Sequence, residues 1–272
     1  DTLAWVPQVV EFQKKHNCKL IVSTFYNEWF KGLDDYKNIK FVNPNNKVNC
    51  LAHYRLGWFK ENNYWDGYNR HKTKPNTIPL IQAATDILGL PFKEINYGIN
   101  FTPKKRPLRK KYICIGPQAT SGCKEWPREY WLKLSDLLTM EGYIVVSLSL
   151  HGFEGKNIKS KSNLPWDDLF NYLYHADLFI GLGSGLSWVN WALNKHTFMI
   201  NGFADKDHEF TNNITRIQNL DVCNGCWNKE EFTFDPGNWD WCPENEGTEL
   251  QHICQKSITP ERVYKEIKQY LI

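Results

Sequence analysis

Three observations predict an α/β protein made of two domains that face a cleft. Short apolar runs of strand type alternate with stretches of helical spacing along most of the 272 residues. The alternation runs twice, and Pro91 to Arg109, rich in Lys and Pro and without periodicity, separates the two series. A chain of this length also has ample material for one large or two medium domains.

The first series opens with Leu3 to Lys15, whose apolar residues recur at helical spacing. Lys19 to Thr24 reads as a buried strand and Lys40 to Val42 as a short second one. Ile78 to Leu88 predicts a helix closed by Gly89, with the domain linker after it. The second series predicts strands over Tyr112 to Gly116, Tyr143 to Leu148, Leu178 to Gly181 and Thr197 to Ile200. Between them fall helices over Pro127 to Met140, Trp166 to His175 and Leu186 to Leu193. Thr259-Pro260-Glu261 predicts an N-cap followed by proline at the first helical position, with the last helix running to about Leu271.

Charge is nearly balanced, with 33 Lys and Arg against 30 Asp and Glu, and no long basic block is present, which argues against a nucleic-acid partner. No apolar run reaches the length of a bilayer span, and the start lacks the charged-then-apolar layout of a signal peptide. The expectation is a soluble, cytoplasmic protein. The chain begins at Asp1 without Met, in what already looks like working sequence, so it is expected to lack an upstream segment. Twelve Trp suit stacking on sugars or bases and equally suit cores and interfaces.

Four of the eight cysteines, Cys223, Cys226, Cys242 and Cys254, cluster as C-x2-C-x15-C-x11-C in one Trp- and Gly-rich stretch. A Cys-x-x-Cys pair grips an ion from a tight turn, and two later thiolates complete a tetrahedral sulfur shell suited to zinc or iron. Disulfides or free thiols are the other readings. Cys18, Cys50, Cys114 and Cys123 are scattered singly, as buried free thiols of an intracellular protein are. A closed thiolate shell leaves no open coordination position, so such a metal would fold the loop from Asp221 to Cys254 and take no part in chemistry.

Phe179 to Trp188 reads as a strand running into Gly183-Ser184-Gly185 and then a helix. Glycines let the backbone approach a ligand closely, and the free amides at the helix start suit a phosphate or diphosphate. The alternative is a tight turn that needs glycine for its dihedrals alone. No Gly-Lys-Ser/Thr follows, so it is not a Walker loop, and Trp188 stands where a dinucleotide fingerprint needs its third glycine. Thr120 to Pro127 carries Lys124 just beyond the strand ending at Gly116. Ligands of open α/β sheets bind off the carboxyl ends of strands, so Lys124 and the glycine turn can converge on one anion, with a solvated lysine as the alternative. Asp207 and Glu209, after Asn201-Gly202-Phe203, are candidates for sugar hydroxyls or belong to a solvated helix face.

The opening Asp1 to Pro7, the Lys19 to Phe25 strand, Lys124-Glu125-Trp126-Pro127, Ile180 to Trp188 and the Asp235 to Pro243 block occur in an order that resembles the bacterial autotransporter heptosyltransferases across nearly the whole chain. More distantly, the chain is similar to lipopolysaccharide heptosyltransferases. The resemblance implies a GT-B glycosyltransferase with two Rossmann-like domains. Residues 1–105 would form the acceptor-side domain, truncated at its start, and residues 106–272 the nucleotide-sugar domain with a metal-binding loop at 221–254. It implies transfer of heptose from ADP-glycero-manno-heptose to Ser or Thr hydroxyls of an autotransporter-like adhesin, by a ring-like homo-oligomer. By position it implies Asp1 as the catalytic aspartate, Lys124 as the lysine facing the donor phosphates, and Gly183, Ser184 and Gly185 as the donor turn. Thr120 and Ser187, within the same two elements, join the donor set, and the four cysteines become ligands of a structural iron, or zinc.

The chemistry implied is coherent. A carboxylate at the cleft takes the acceptor hydroxyl's proton, and Lys124 with the helix-end amides stabilises charge on the departing ADP. Asp1 also suits a helix N-cap. Gly116-Pro117-Gln118 stands where a more polar start to the donor loop is expected, which leaves the sugar open. The rival readings are a GT-B enzyme using another nucleotide sugar, and a non-catalytic assembly module with Trp227, Trp239 and Trp241 as contact surface.

Overall fold

A computed structural model of the chain describes residues 2–56, 60–61, 64–65, 75–235 and 237–271. The chain divides into two compact units: residues up to Thr102 together with Asp207–Phe210, and Pro103–Lys206 together with the rest from Thr211. The return of Asp207–Phe210 to the first unit has no signal in the sequence.

The first unit begins with α1 (Thr2–His16), which buries Leu3, Val6, Val9 and Val10 on the spacing expected of an amphipathic helix. Strands β1 (Leu20–Ser23) and β2 (Ile39–Val42) pair in parallel with Val22 opposite Phe41. Asn27 joins their ends, because its Oδ1 accepts from Thr24 N–H at 3.1 Å and its Nδ2 donates to the Val42 carbonyl at 2.8 Å. Short strands β3 (Lys60–Glu61) and β4 (Tyr64–Trp65) pair antiparallel, and α2 (Leu80–Ile87) packs against α1. Gly89 follows α2 with φ of +63°, the left-handed stop that the sequence signals.

The second unit is built on one parallel sheet. Its elements are β5 (Tyr112–Gly116), α3 (Arg128–Met140), β6 (Ile144–Ser149), β7 (Ile158–Ser162), α4 (Trp166–His175), β8 (Leu178–Leu182), α5 (Gly185–Ala192), β9 (Thr197–Ile200), β10 (Ile214–Ile217), α6 (Ile253–Lys256) and α7 (Pro260–Lys268). The strand order β7-β6-β5-β8-β9-β10 is the doubly wound dinucleotide-fold order. One sheet face, carrying Ile113, Val145, Ile180 and Phe198, packs on Trp131, Leu134 and Leu138 of α3 and Val263 and Ile267 of α7. On β5 the alternate residues Tyr112 and Cys114 direct Oη and Sγ to the Tyr172 carbonyl of α4. Thr259 caps α7, its Oγ1 accepting from Arg262 N–H at 3.2 Å, while the helix stops at Lys268, short of the expected Leu271.

Strands β7 and β10 are absent from the sequence reading. Both are edge strands, and Ile-Lys-Ser-Lys-Ser and Ile-Thr-Arg-Ile are too polar to stand out as strand runs. Among the described residues, no helix is long and apolar enough to cross a membrane.

Candidate functional site

Winding outward from β5 the sheet runs one way through β6 and β7, and from β8 the other way through β9 and β10. The switch point therefore lies between β5 and β8, where Gly116 pairs with Gly181. Ligands of doubly wound sheets bind outside the strand ends at such a point. The loops that leave it are those that carry Lys124 and Gly183-Ser184-Gly185.

The turn after β8 is shaped by close contacts. A Cβ on Gly181 would stand 2.7 Å from the Phe179 ring and 2.9 Å from Ser187 Oγ, so only glycine fits. Ser184 N–H donates to the Leu182 carbonyl at 2.7 Å, and Ser184 then enters α5 as its N-cap in extended conformation. Gly183 is buried, Ser184 half-buried and Gly185 exposed. No atom lies within 4 Å of where a Gly185 Cβ would be, so the helix start opens onto free space. Ser187 departs from its expected role. It is fully buried, and its hydroxyl donates to the Leu182 carbonyl at 2.6 Å, so it builds the turn from beneath and offers nothing to a ligand.

Lys124 closes a short 3-10 turn, Gly122–Lys124, and is half-buried. Its ammonium donates to the Gly183 carbonyl at 3.4 Å and lies 4.9 Å from the Phe203 ring centroid. The sequence-predicted lysine and glycine turn therefore meet. Thr120 is exposed on the same loop. Asp1 lies outside the described residues. Glu209 and Asp207 are not on a helix: Glu209 is buried and Asp207 exposed, and both are counted with the first unit.

The cysteine-rich segment supports the lysine loop directly. The Trp239 carbonyl accepts from Ser121 Oγ at 2.8 Å and from Cys123 N–H at 3.2 Å. Gln255 Nε2 donates to the Lys124 carbonyl at 2.8 Å. Phe203 packs with Trp227 and Trp241 at centroid separations of 5.5 and 6.0 Å. Trp241 is thus a core residue, contrary to the expectation of a Trp227, Trp239 and Trp241 contact surface; of the three only Trp239 is exposed. Gln255 escapes the sequence reading, because nothing local marks it; Trp239 is legible there only as a contact surface and Phe203 only as part of Asn201-Gly202-Phe203.

All eight cysteines are free thiols; Cys114, Cys123, Cys242 and Cys254 are buried, and Cys50, contrary to expectation, is exposed. Burial first, then the charges of Cys223, Cys226 and Cys242, push the Cys254 thiol up to about 12. Burial and then Glu244 push Cys226 up to about 12. Asn245 Nδ2 donates to Cys223 Sγ at 3.2 Å and His252 N–H to Cys242 Sγ at 3.4 Å, the kind of N–H donation that steadies thiolate ligands. Yet among the described residues no group of three or more His, Cys, Asp or Glu side chains is set as a metal-binding cluster. The donor chemistry fits a thiophilic metal, while the positions of the thiols do not form its shell.

The switch-point cation and open glycine turn on a doubly wound sheet make an anion-binding site of the kind that nucleotide-binding α/β folds carry. The chain belongs to glycosyltransferase family 9 (heptosyltransferase), whose profile matches residues 80–234. It is 30% identical over 97% of its length to the autotransporter heptosyltransferase Aah of Escherichia coli, covering 69% of that protein. It is also 30% identical over 98% of its length to the inactive autotransporter heptosyltransferase BimC of Burkholderia thailandensis, covering 65%. Among solved structures it is similar to the dodecameric, iron-containing heptosyltransferase TibC of E. coli in complex with ADP-D-beta-D-heptose, with 27% identity, a TM-score of 0.88, and coverage of 99% of this chain and 72% of that one. The chain spans about two thirds of the length of the curated relatives it matches.

Proposed function

We propose that this chain is the heptosyltransferase portion of an enzyme that moves heptose from ADP-heptose to Ser and Thr hydroxyls of an autotransporter protein. The observation that carries the reading is the meeting of Lys124 with Gly183 at the switch point, in a chain similar over 99% of its length to a structure holding ADP-heptose. The second unit takes the donor: Lys124, Ser184, Gly185 and the exposed Thr120 face the diphosphate, and Gly183 supplies the turn. Charge that grows on the leaving ADP is met by the Lys124 ammonium and the amides that open α5, interactions that strengthen toward the transition state. The first unit takes the acceptor, and Asp1 removes the hydroxyl proton as general base.

Cys223, Cys226, Cys242 and Cys254 hold a structural iron in this reading, zinc being the other metal that a sulfur donor set accepts. The ion's contribution is to fold the segment between Asp221 and Cys254. The reaction is set in the cytoplasm, and the working form is a homo-oligomer, in keeping with the dodecamer described for TibC.

A second reading, a chain that binds donor without transferring it, is favoured by one observation: a relative at the same 30% identity is an inactive heptosyltransferase. Two measurements separate these. Thermal midpoints are followed with ADP-heptose, ADP, UDP-GlcNAc and GDP-mannose; a ligand at about 100 times its Kd adds ~2.7 kcal/mol, a shift of several degrees. Mass spectrometry of an autotransporter fragment incubated with protein and ADP-heptose then reads transfer. Stabilisation by ADP-heptose and ADP with a heptose mass added to the acceptor is the expected result. Donor stabilisation without the mass gain favours the second reading, and stabilisation by UDP or GDP sugars alone removes heptose as the substrate. Loss of transfer in Asp1→Asn with donor binding kept is the outcome expected of a base.

A further inference from the structure

We propose that Gln255 is a positioning residue for Lys124, holding the lysine loop against the cysteine-rich segment in the orientation that donor binding needs; the inference rests on the reading of Lys124 as a donor-phosphate ligand. Gln255 is 1% exposed, and both ends of its amide are engaged. Nε2 donates to the Lys124 carbonyl at 2.8 Å, and Oε1 accepts from Gly202 N–H at 3.4 Å. One buried amide thus ties the loop after β5 to the loop after β9. The residue after Gly202 is Phe203, whose ring faces the Lys124 ammonium. Gln255 accordingly sets the backbone of Lys124 and the aromatic partner of its side chain together.

The lysine loop needs this support. Its own regular structure is a three-residue 3-10 turn without a side-chain cap. Beside its own short-range bonds, the loop is tied to the rest of the unit by Gln255 and by the Trp239 carbonyl, which accepts from Ser121 and Cys123. Gly202 packs closely on the residue beside the glutamine: a Cβ on Gly202 would stand 2.6 Å from the Cβ of Cys254. A buried amide that only stabilised the fold would show the same burial but would leave nucleotide affinity untouched.

The test is calorimetric titration of ADP into the full chain and into Lys124→Ala, Gln255→Met, Ser121→Ala and the Lys124→Ala/Gln255→Met double variant, with the thermal midpoint of each measured without nucleotide. Gln255→Met is expected to bind ADP roughly tenfold more weakly and Ser121→Ala a few fold more weakly. The double variant is expected to match Lys124→Ala alone, because the glutamine acts through the lysine. A lowered midpoint with wild-type ADP affinity in Gln255→Met, or additive losses in the double variant, overturns the inference and leaves the donor reading standing. If Gln255→Met fails to fold, Gln255→Glu decides, since it keeps the size and the acceptor for Gly202 N–H and loses the amide donor to the Lys124 carbonyl, and wild-type affinity there overturns the inference. If Lys124→Ala binds ADP as well as wild type, or wild type binds none, the donor reading falls and this inference with it.

Discussion

The Lys124 ammonium donates to the Gly183 carbonyl across 3.4 Å, and in doing so bridges loops 59 residues apart in the chain. That separation is long for an N–H···O bond, and the same ammonium lies 4.9 Å from the Phe203 ring centroid.

The two glycines of the donor turn are expected to separate binding from folding. Gly185→Val projects into open space, so unliganded stability should stay within ~0.5 kcal/mol of wild type while the side chain occupies the volume a diphosphate needs. Gly181→Ala meets Phe179 and Ser187 and should cost about 1–3 kcal/mol before any ligand is added. ADP titration and urea unfolding of both variants check this. Unchanged ADP affinity in Gly185→Val would move the donor away from the turn.

Elemental analysis is expected to find iron, or zinc, in the purified chain. Cys226→Ser should lose the metal and lower stability by more than the ~0.5 kcal/mol of an ordinary surface change. Cys50→Ser, at an exposed thiol outside the cluster, should do neither. Equal metal content in all three proteins would remove the four-cysteine site.

Trp126 fastens the start of α3 to the approach of α7, its indole N–H donating to the Ile258 carbonyl at 2.7 Å in a buried setting. Trp126→Phe keeps most of the apolar contact and strands the carbonyl, so a loss of about 1–3 kcal/mol is expected by chemical denaturation. A loss below ~0.5 kcal/mol would mean that water reaches the carbonyl.

His196 should make the second unit acid-sensitive. It stacks on Tyr270, its Nε2 lies 2.9 Å from Thr215 Oγ1, and burial holds its pKa below the ordinary 6.5. The unfolded chain therefore takes up a proton at a higher pH than the folded one, so the contribution is present above pH 6.5 and is lost as pH falls through the folded value. His196→Gln is expected to flatten the pH dependence of the thermal midpoint below 6.5. An unchanged slope would assign the acid sensitivity to other groups.

Much of the fold is legible without coordinates. Ten elements, α1, β1, β2, β5, α3, β6, α4, β8, α5 and β9, lie where periodicity puts them, to within one residue at each end. Strand and helix periods report which face of a local segment is apolar, and that information is contained in neighbouring residues. For the same reason the cysteine spacing and the glycine turn announce themselves, while the polar edge strands β7 and β10 do not.

Tertiary structure decided what those residues do. Ser187 sits in the donor turn by sequence, yet the tight approach of Phe179 and Gly181 turns its hydroxyl inward to Leu182. Gln255 and Lys124 are 131 positions apart, and no local pattern encodes their bond. The strand order settles it: two crossovers in opposite directions bring the β5 and β8 loops to one switch point, and the cysteine-rich segment closes over them. Periodicity fixes which faces are buried, whereas partners across the chain exist only once the sheet order has chosen which loops become neighbours.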